Sequence, residues 1–186
     1  AGASHAQDLL IRTLLKPGDY VIVETPGYGN LYRQLAFQGV NLLEVPRTRG
    51  GPDIPALEAL LQAYQPKCLF INSLYHNPTG TSLCREVAER LLELAHRENF
   101  LIVEEDVLGD LQHPSCTRLS ALPHDDRVIY VASFSKTLSS ALRVGYLSAS
   151  AAMVAQLANL KTLTGFGTSR FAEAVVATLL ANGTYR

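Results

Sequence analysis

Short apolar runs of strand length alternate along this chain with longer stretches in which apolar residues recur at helical spacing. The apolar runs fall at residues 20–23, 41–45, 68–71, 101–103, 128–132 and 144–147. The helical patterns fall at residues 4–15, 30–37, 54–63, 84–98, 151–163 and 170–181. Strands that are apolar throughout and separated by helices predict a mostly parallel sheet covered by helices on both faces. The chain is therefore predicted to be a three-layer α/β protein.

The connection between the last two apolar runs is short for a parallel crossover. Only 11 residues, 133–143, separate residue 132 from residue 144, and they show no convincing helical pattern. A parallel connection usually needs about a dozen residues or more. The last strand is therefore predicted to run antiparallel to its neighbour.

The composition fits a globular domain and argues against several classes of function. The 16 Lys and Arg residues are balanced by 17 Asp and Glu residues, so we expect no nucleic-acid contact by this segment. No apolar run approaches the roughly 18 residues that a membrane span needs. Cys68, Cys84 and Cys116 lie far apart, which argues against a disulfide framework and predicts a reducing, cytoplasmic location. His113 and Cys116 form a lone pair without further metal-ligand spacing, so no metal site is predicted.

Both ends of the chain predict that residues 1–186 are a piece of a longer protein. The sequence starts at Ala1 without Met and enters a helical pattern almost at once. It ends directly after an apolar helical stretch. We expect one lobe of a larger molecule.

Four polar clusters follow directly after apolar runs, at residues 24–28, 73–80, 104–110 and 133–143. In sheets of this type, ligands bind beyond the carboxyl ends of the strands. In the last cluster, Ser133 and Ser135 precede Lys136, and Arg143 follows it. A lysine amine forms an imine with an aldehyde, and hydroxyl and guanidinium groups hold a phosphate. The cluster suits a phosphorylated aldehyde, and a solvated loop with an incidental lysine is the alternative.

Three other motifs fit the same ligand. Residues 2–4 lie at the start of a helical pattern, where free N–H groups attract anions, and Ser4 with Gln7 fits a capping box. Tyr28, in a turn, has the right chemistry to stack on an aromatic ring. Asn77 can donate a hydrogen bond to a phenolic oxygen on that ring. For each motif the alternative is purely structural: a capped helix, a half-buried tyrosine and a turn.

In their order and spacing, these motifs resemble the class I and II aminotransferases, fold-type I enzymes that depend on pyridoxal 5′-phosphate. The resemblance runs from residue 2 to about residue 147 and rests on six motifs: Gly2-Ala3-Ser4, Pro26-Gly27-Tyr28, Asn77-Pro78-Thr79-Gly80, the acidic residues 104–106, Ser133-Phe134-Ser135-Lys136 and Arg143-Val144-Gly145. It implies the large-domain fold of that family, with about seven strands, mostly parallel, and the strand after the lysine antiparallel.

The resemblance also implies a role for each motif residue. Lys136 would form a Schiff base with the cofactor and move the proton to and from the substrate Cα. Tyr28 would stack on the pyridine ring, and Asn77 would hydrogen-bond the ring's 3-oxygen. Glu105 would pair with the pyridine nitrogen, with Asp106 as the alternative partner. The phosphate would be held by Ala3, Ser4, Ser133, Ser135 and Arg143.

The sequence departs from the family pattern at two positions. Glu105 stands where the related pattern has aspartate, and Leu108 stands where it has tyrosine. Leucine cannot donate a hydrogen bond to the 3-oxygen, so we expect cofactor binding to persist while turnover suffers. The segment also lacks the family's small domain, which normally supplies the arginine for the substrate carboxylate. We therefore expect the segment alone to be inactive as a transaminase, and its parent protein to be a homodimer.

Two functions remain open for the parent protein. The first is a MocR/GntR-type transcriptional regulator, in which this domain senses the cofactor with a small-molecule amine or amino acid, and a missing N-terminal domain contacts DNA. The second is a metabolic aminotransferase, which moves an amino group between an amino acid and a 2-oxo acid. Leu108 and the run of residues 104–108 favour the regulator.

Overall fold

The computed structural model describes residues 2–111, 117–165 and 167–185, so His113 and Cys116 lie outside the described residues. Its strands are β1 (Tyr20–Thr25), β2 (Asn41–Thr48), β3 (Gly51–Pro52), β4 (Cys68–Asn72), β5 (Leu101–Asp106), β6 (Val128–Ser133) and β7 (Gly145–Ser148). Its α-helices are α1 (Gly2–Leu14), α2 (Gly29–Gln38), α3 (Ile54–Ala63), α4 (Arg85–Arg97), α5 (Ala151–Gly165) and α6 (Arg170–Ala181). None of these described helices is long and apolar enough to cross a membrane.

The seven strands form one sheet in the order β3-β2-β1-β4-β5-β6-β7. The five central strands, β2, β1, β4, β5 and β6, are parallel, and β7 is antiparallel to β6. The prediction made from the short connection before β7 is thus confirmed. A second antiparallel pairing, between β2 and β3, was not expected. The two residues of β3 are too few to show an apolar pattern in the sequence.

Helices cover both faces of the sheet, as a three-layer fold requires. Neighbouring residues of a strand point to opposite faces. On one face, Ile22 and Ile102 pack with the buried residues of α3 and α4. On the other face, Val23 and Val103 pack with the buried residues of α1, α2 and α5. The central strands therefore carry runs of consecutive apolar residues, such as Val21–Val23 and Leu101–Val103, which explains why they could be recognised in the sequence.

The helix ends agree with the sequence in most places. Asp53 caps α3, because its side chain accepts a hydrogen bond from the backbone nitrogen of Ala56 at 2.9 Å. Gly39 ends α2 in the left-handed conformation that glycine favours. The capping box expected at Ser4 is wrong, since α1 begins at Gly2 and Ser4 lies inside its first turn. Its other member, Gln7, is buried in the protein interior.

Candidate functional site

A cavity of about 250 Å³ opens where the central strands end. It brings together all nine residues that the sequence predicts for the site, and it adds three that were not predicted, Asn72, Val107 and Ser140. Two of these carried some signal in the sequence, because Val107 lies within the polar cluster 104–110 and Ser140 within the cluster 133–143. The nine predicted residues are Ala3, Ser4, Tyr28, Asn77, Glu105, Ser133, Ser135, Lys136 and Arg143.

Lys136 projects from a tight turn that follows β6. The backbone nitrogens of Leu138 and Ser139 both donate to the carbonyl oxygen of Phe134, at 2.9 and 3.1 Å. The Phe134 side chain is buried in a small cluster that includes apolar residues of α6. The backbone of the turn is thereby fixed, while the Lys136 side chain is exposed and Lys136 lines the cavity.

Hydroxyl and guanidinium groups gather at one end of the cavity. The Ser133 hydroxyl donates to Ser135 Oγ at 3.0 Å, and Arg143 Nη1 donates to the same oxygen at 3.3 Å. Ala3 and Ser4 add the first turn of α1, where backbone N–H groups and the helix dipole attract anions. We name this set of five residues the phosphate cup.

Two glycines allow the cup to form. A Cβ on Gly2 would lie 3.2 Å from Arg143 Nη2, and Gly2 has a φ of 70°, which other residues rarely adopt. A Cβ on Gly145 would lie 2.6 Å from the carbonyl oxygen of Ala132 and 3.2 Å from the backbone nitrogen of Ala3. The absence of a side chain at Gly145 therefore allows the start of α1 to approach β6 and β7 closely, and its absence at Gly2 leaves room for the Arg143 guanidinium. The cup has the charge and the donors that a phosphate group needs.

The pleat of β5 separates its three acidic residues. Glu105 points to the face that carries α1 and lines the cavity. Asp106 points to the opposite face, where it accepts hydrogen bonds from Arg118 Nε at 2.6 Å and from the Tyr130 hydroxyl at 2.8 Å. Glu104 shares that opposite face and is fully buried. Of the two carboxylates considered for the ring nitrogen, the structure therefore brings only Glu105 into the cavity.

Burial and a hydrogen bond act on the Glu105 carboxyl group in opposite directions. Burial raises the pKa of Glu105 above its ordinary value, and the hydrogen bond from the side-chain amide of Asn72 acts in the opposite direction. Asn72 Nδ2 lies 3.2 Å from Glu105 Oε2. A buried carboxylate of this kind can stabilise a proton on a ring nitrogen that faces it.

Tyr28 and Asn77 complete the wall of the cavity. Tyr28 is half-buried and immediately precedes α2, and its hydroxyl accepts a hydrogen bond from Asn30 Nδ2 at 2.9 Å. Asn77 lies in a turn closed by a hydrogen bond of 2.8 Å from the backbone nitrogen of His76 to the carbonyl oxygen of Thr81. Leu108 is not among the residues that line the cavity.

A buried ion pair beside the cavity was not predicted. Arg47 Nη1 lies 2.5 Å from Glu24 Oε1, and the two side chains are 0% and 3% exposed. Burial raises the pKa of Glu24, and the charge and hydrogen bond of Arg47 counteract that effect. Burial, together with the charge of Arg47, lowers the pKa of neighbouring His76 to about 4, so its ring is neutral at physiological pH. Arg47 lies in β2, far from every motif, and nothing in the sequence marked it.

Comparisons with known proteins cover almost the entire chain. Residues 1–185 match the family model described as aminotransferase class I and II. The HTH-type transcriptional regulator YisV of Bacillus subtilis (strain 168) is 28% identical over 187 residues, which cover 100% of this chain and 39% of the regulator.

Two solved structures share the fold. Kynurenine aminotransferase of Pyrococcus horikoshii, in complex with PMP, has a TM-score of 0.95 and 28% identity over 99% of this chain and 47% of its own. The α-aminoadipate aminotransferase LysN of Thermus thermophilus, complexed with N-(5′-phosphopyridoxyl)-L-leucine, has a TM-score of 0.87 and 30% identity over 98% of this chain and 48% of its own. The chain thus spans less than half the length of these three proteins.

Proposed function

Because the chain belongs to the class I and II aminotransferase family, we propose that it is the pyridoxal 5′-phosphate-binding large domain of a MocR/GntR-type transcriptional regulator. In this proposal the domain senses a small-molecule amine or amino acid. The parent protein is a homodimer in the cytoplasm and contacts DNA through a separate N-terminal domain. The free thiols of Cys68 and Cys84 agree with a reducing compartment.

The observation that carries the proposal is the content of the cavity. A single space of about 250 Å³ holds the Lys136 amine, the phosphate cup and the Glu105 carboxyl group. These are a nucleophile for an aldehyde, an anion site and a partner for a ring nitrogen. They match the three reactive parts of pyridoxal 5′-phosphate, and the glycines at positions 2 and 145 leave room for the cup.

When bound, the cofactor supplies an aldehyde carbon and a protonated ring that withdraws electrons from the carbon next to an attached amine. Lys136 would supply the amine that holds the cofactor through that aldehyde carbon, with loss of water, and would hold or move the proton at the substrate Cα. The phosphate cup binds the phosphate and fixes the position of the ring. Glu105 keeps the ring nitrogen protonated, Tyr28 stacks on the ring and Asn77 donates to its 3-oxygen.

Leu108 and the similarity to YisV support the sensor. A tyrosine at position 108 would offer a hydroxyl donor, whereas leucine offers none, so we expect cofactor binding to persist with slow proton transfer. A sensor needs a ligand-dependent change at the site and does not need fast turnover. The similarity to YisV covers 100% of this chain, and YisV is described as an uncharacterized HTH-type transcriptional regulator.

The second candidate is a metabolic aminotransferase. It is favoured by the two solved aminotransferases, which superpose on nearly all of this chain with TM-scores of 0.95 and 0.87. In this case the remainder of the parent protein supplies the group that binds the substrate carboxylate.

Labelling of Lys136 tests the cofactor site directly. Pyridoxal 5′-phosphate is added to the full-length protein, the absorbance is recorded, and the sample is reduced with borohydride and mapped by mass spectrometry. We expect a band near about 400–430 nm and a cofactor label on Lys136. Lys136→Ala should lose both, and Lys67→Ala, which removes an exposed lysine outside the cavity, should keep both. A full-length protein with no band and no label would refute the proposal.

A second assay separates the sensor from the enzyme. The loaded full-length protein is mixed with amino acids, with and without a 2-oxo acid, and both amino-group transfer and DNA affinity are measured. The sensor predicts a change in DNA affinity with little transfer. Efficient transfer without any change in DNA affinity would favour the metabolic enzyme.

A further inference from the structure

Asn72 is the last residue of β4, and its backbone is held on both sides by the buried ion pair. Arg47 Nη1 donates to the carbonyl oxygen of Asn72 at 2.9 Å. The backbone nitrogen of Asn72 donates to Glu24 Oε2 at 3.1 Å. The backbone of Asn72 thus makes hydrogen bonds to both members of a buried ion pair.

The side chain of Asn72 points into the cavity toward Glu105. Asn72 and Glu105 are direct partners in the register of β4 and β5. Asn72 Nδ2 lies 3.2 Å from both Glu105 Oε2 and the carbonyl oxygen of Glu105. A single amide group therefore contacts the backbone and the carboxyl group of the same residue.

We propose that Asn72 is a positioning residue that holds the Glu105 carboxylate toward the ring nitrogen, and that the Glu24–Arg47 pair anchors Asn72 for this task. The inference rests on the proposed cofactor function and adds residues to it that no motif marked. A continuous chain of hydrogen bonds runs from β1 and β2 to the cavity. It links the Glu24–Arg47 pair to Asn72, and Asn72 to the Glu105 carboxylate.

The need for such a residue follows from the chemistry of glutamate. Glu105 has one more methylene than the aspartate of the related pattern, so its carboxyl group has more rotamers to choose from. The Asn72 side-chain amide, as a hydrogen-bond donor in a fixed position, favours one of these Glu105 rotamers. The amide also favours the ionised carboxylate and so opposes the effect of burial. Without it, Glu105 would be more mobile and more easily protonated.

The test uses the full-length protein and a titration with pyridoxal 5′-phosphate followed by absorbance. Asn72→Ala removes the donor, and Asn72→Asp keeps the shape but replaces the donor with an acceptor. We expect about tenfold weaker binding for Asn72→Ala, the size of one hydrogen bond to a charged group, and a larger loss for Asn72→Asp. Asn41→Ala is the matched control, because it also removes an amide that donates to a backbone carbonyl, and its affinity should not change.

A second readout separates positioning from a general effect on folding. The Asn72→Ala change is repeated in a Glu105→Gln background. If Asn72 acts through Glu105, the cofactor affinity of the double variant should lie within about twofold of that of Glu105→Gln alone, because coupled residues are not additive. The pH dependence of the visible band should also shift in Asn72→Asp, because that band responds to the charge at the ring nitrogen.

The possible failures are distinguishable. Two results would overturn the positioning role and leave the cofactor function intact. The first is a cofactor affinity of Asn72→Asp within about twofold of that of the unaltered protein. The second is an equal loss of affinity on Asn72→Ala in the unaltered protein and in the Glu105→Gln variant. An unaltered protein that takes up no cofactor on Lys136 would refute the proposed function and this inference together. If Asn72→Ala fails to fold, the isosteric Asn72→Asp decides the question.

Discussion

Replacing Arg47 with methionine should destabilise the fold strongly at neutral pH, because it leaves a buried carboxylate without its partner. Methionine has a similar length and fits an apolar surrounding, so the change removes charge and donors more than volume. The Arg47 side chain is 0% exposed and that of Glu24 3% exposed, so little water is available to replace the guanidinium.

The expected loss can be worked out from these contacts. Breaking a buried ion pair by removing one partner costs about 3–5 kcal/mol. Arg47 also donates to the carbonyl oxygen of Asn72 at 2.9 Å and to Thr81 Oγ1 at 3.1 Å. Each of these bonds contributes about 1 kcal/mol. We therefore expect a total loss of about 4–7 kcal/mol at pH 7, of which about 1–2 kcal/mol belongs to the bonds that do not involve Glu24.

The loss should depend on pH in a defined direction. Burial raises the pKa of Glu24, and removal of Arg47 raises it further. A carboxyl group whose pKa is higher in the folded state than in the unfolded state binds more protons when folded, so it favours unfolding as the pH rises. The penalty in Arg47→Met should thus be complete above the raised pKa of Glu24. It should shrink toward the remaining roughly 1–2 kcal/mol below the ordinary glutamate value of 4.5.

Urea denaturation followed by circular dichroism measures this effect, since the chain has no tryptophan to report by fluorescence. The set comprises the unaltered chain, Arg47→Met, Glu24→Gln and the double variant, each at pH 7 and near pH 4. The double variant should be more stable at pH 7 than Arg47→Met alone. A loss below about 1 kcal/mol, or a loss that neither low pH nor Glu24→Gln reduces, would refute the reasoning.

Two other changes test the geometry around the cavity. Gly2→Ala should weaken cofactor binding about tenfold, because the new Cβ would lie 3.2 Å from Arg143 Nη2 at a φ of 70°; binding unchanged in an absorbance titration would contradict the role of this glycine. Tyr185→Phe removes the hydroxyl that contacts both Asp110 and Thr137 but keeps the ring that packs on Phe134. It should slow borohydride-fixed labelling of Lys136 several-fold without unfolding the chain, and an unchanged labelling rate would show that the turn holds its shape without this contact.

The sheet could be predicted from the sequence because helices bury its central strands on both faces. Val21 to Val23 and Ile102 to Val103 are apolar at every position, so the strands stand out against the amphipathic helices. The antiparallel direction of β7 was predicted from the length of the connection before it, residues 133–143, alone. The start of α1 was misplaced by two residues, because the sequence favoured Ser4 as the cap although the helix begins at Gly2.

The site was readable for a different reason. Parallel strands end at the same edge of a sheet, so polar residues that follow separate strands meet there, and all nine predicted residues line one cavity. The positions of Asn72 and Arg47 could not be predicted, since their contacts depend on the register between strands that are far apart in the chain. The choice between Glu105 and Asp106 also required the pleat of β5. The chemical roles of the nine residues stay predictions until cofactor binding is measured.

The alternation of acidic residues along β5 restricts how this family of proteins can diverge. Loss or gain of a single residue within residues 101–104 would turn Glu105 to the opposite face and bring a different side chain into the cavity. Single substitutions leave every other side chain of this strand on its own face of the sheet. A change of length by one residue would move the side chains that follow it to the opposite face. Alignments of relatives across this strand should therefore contain substitutions but no gaps.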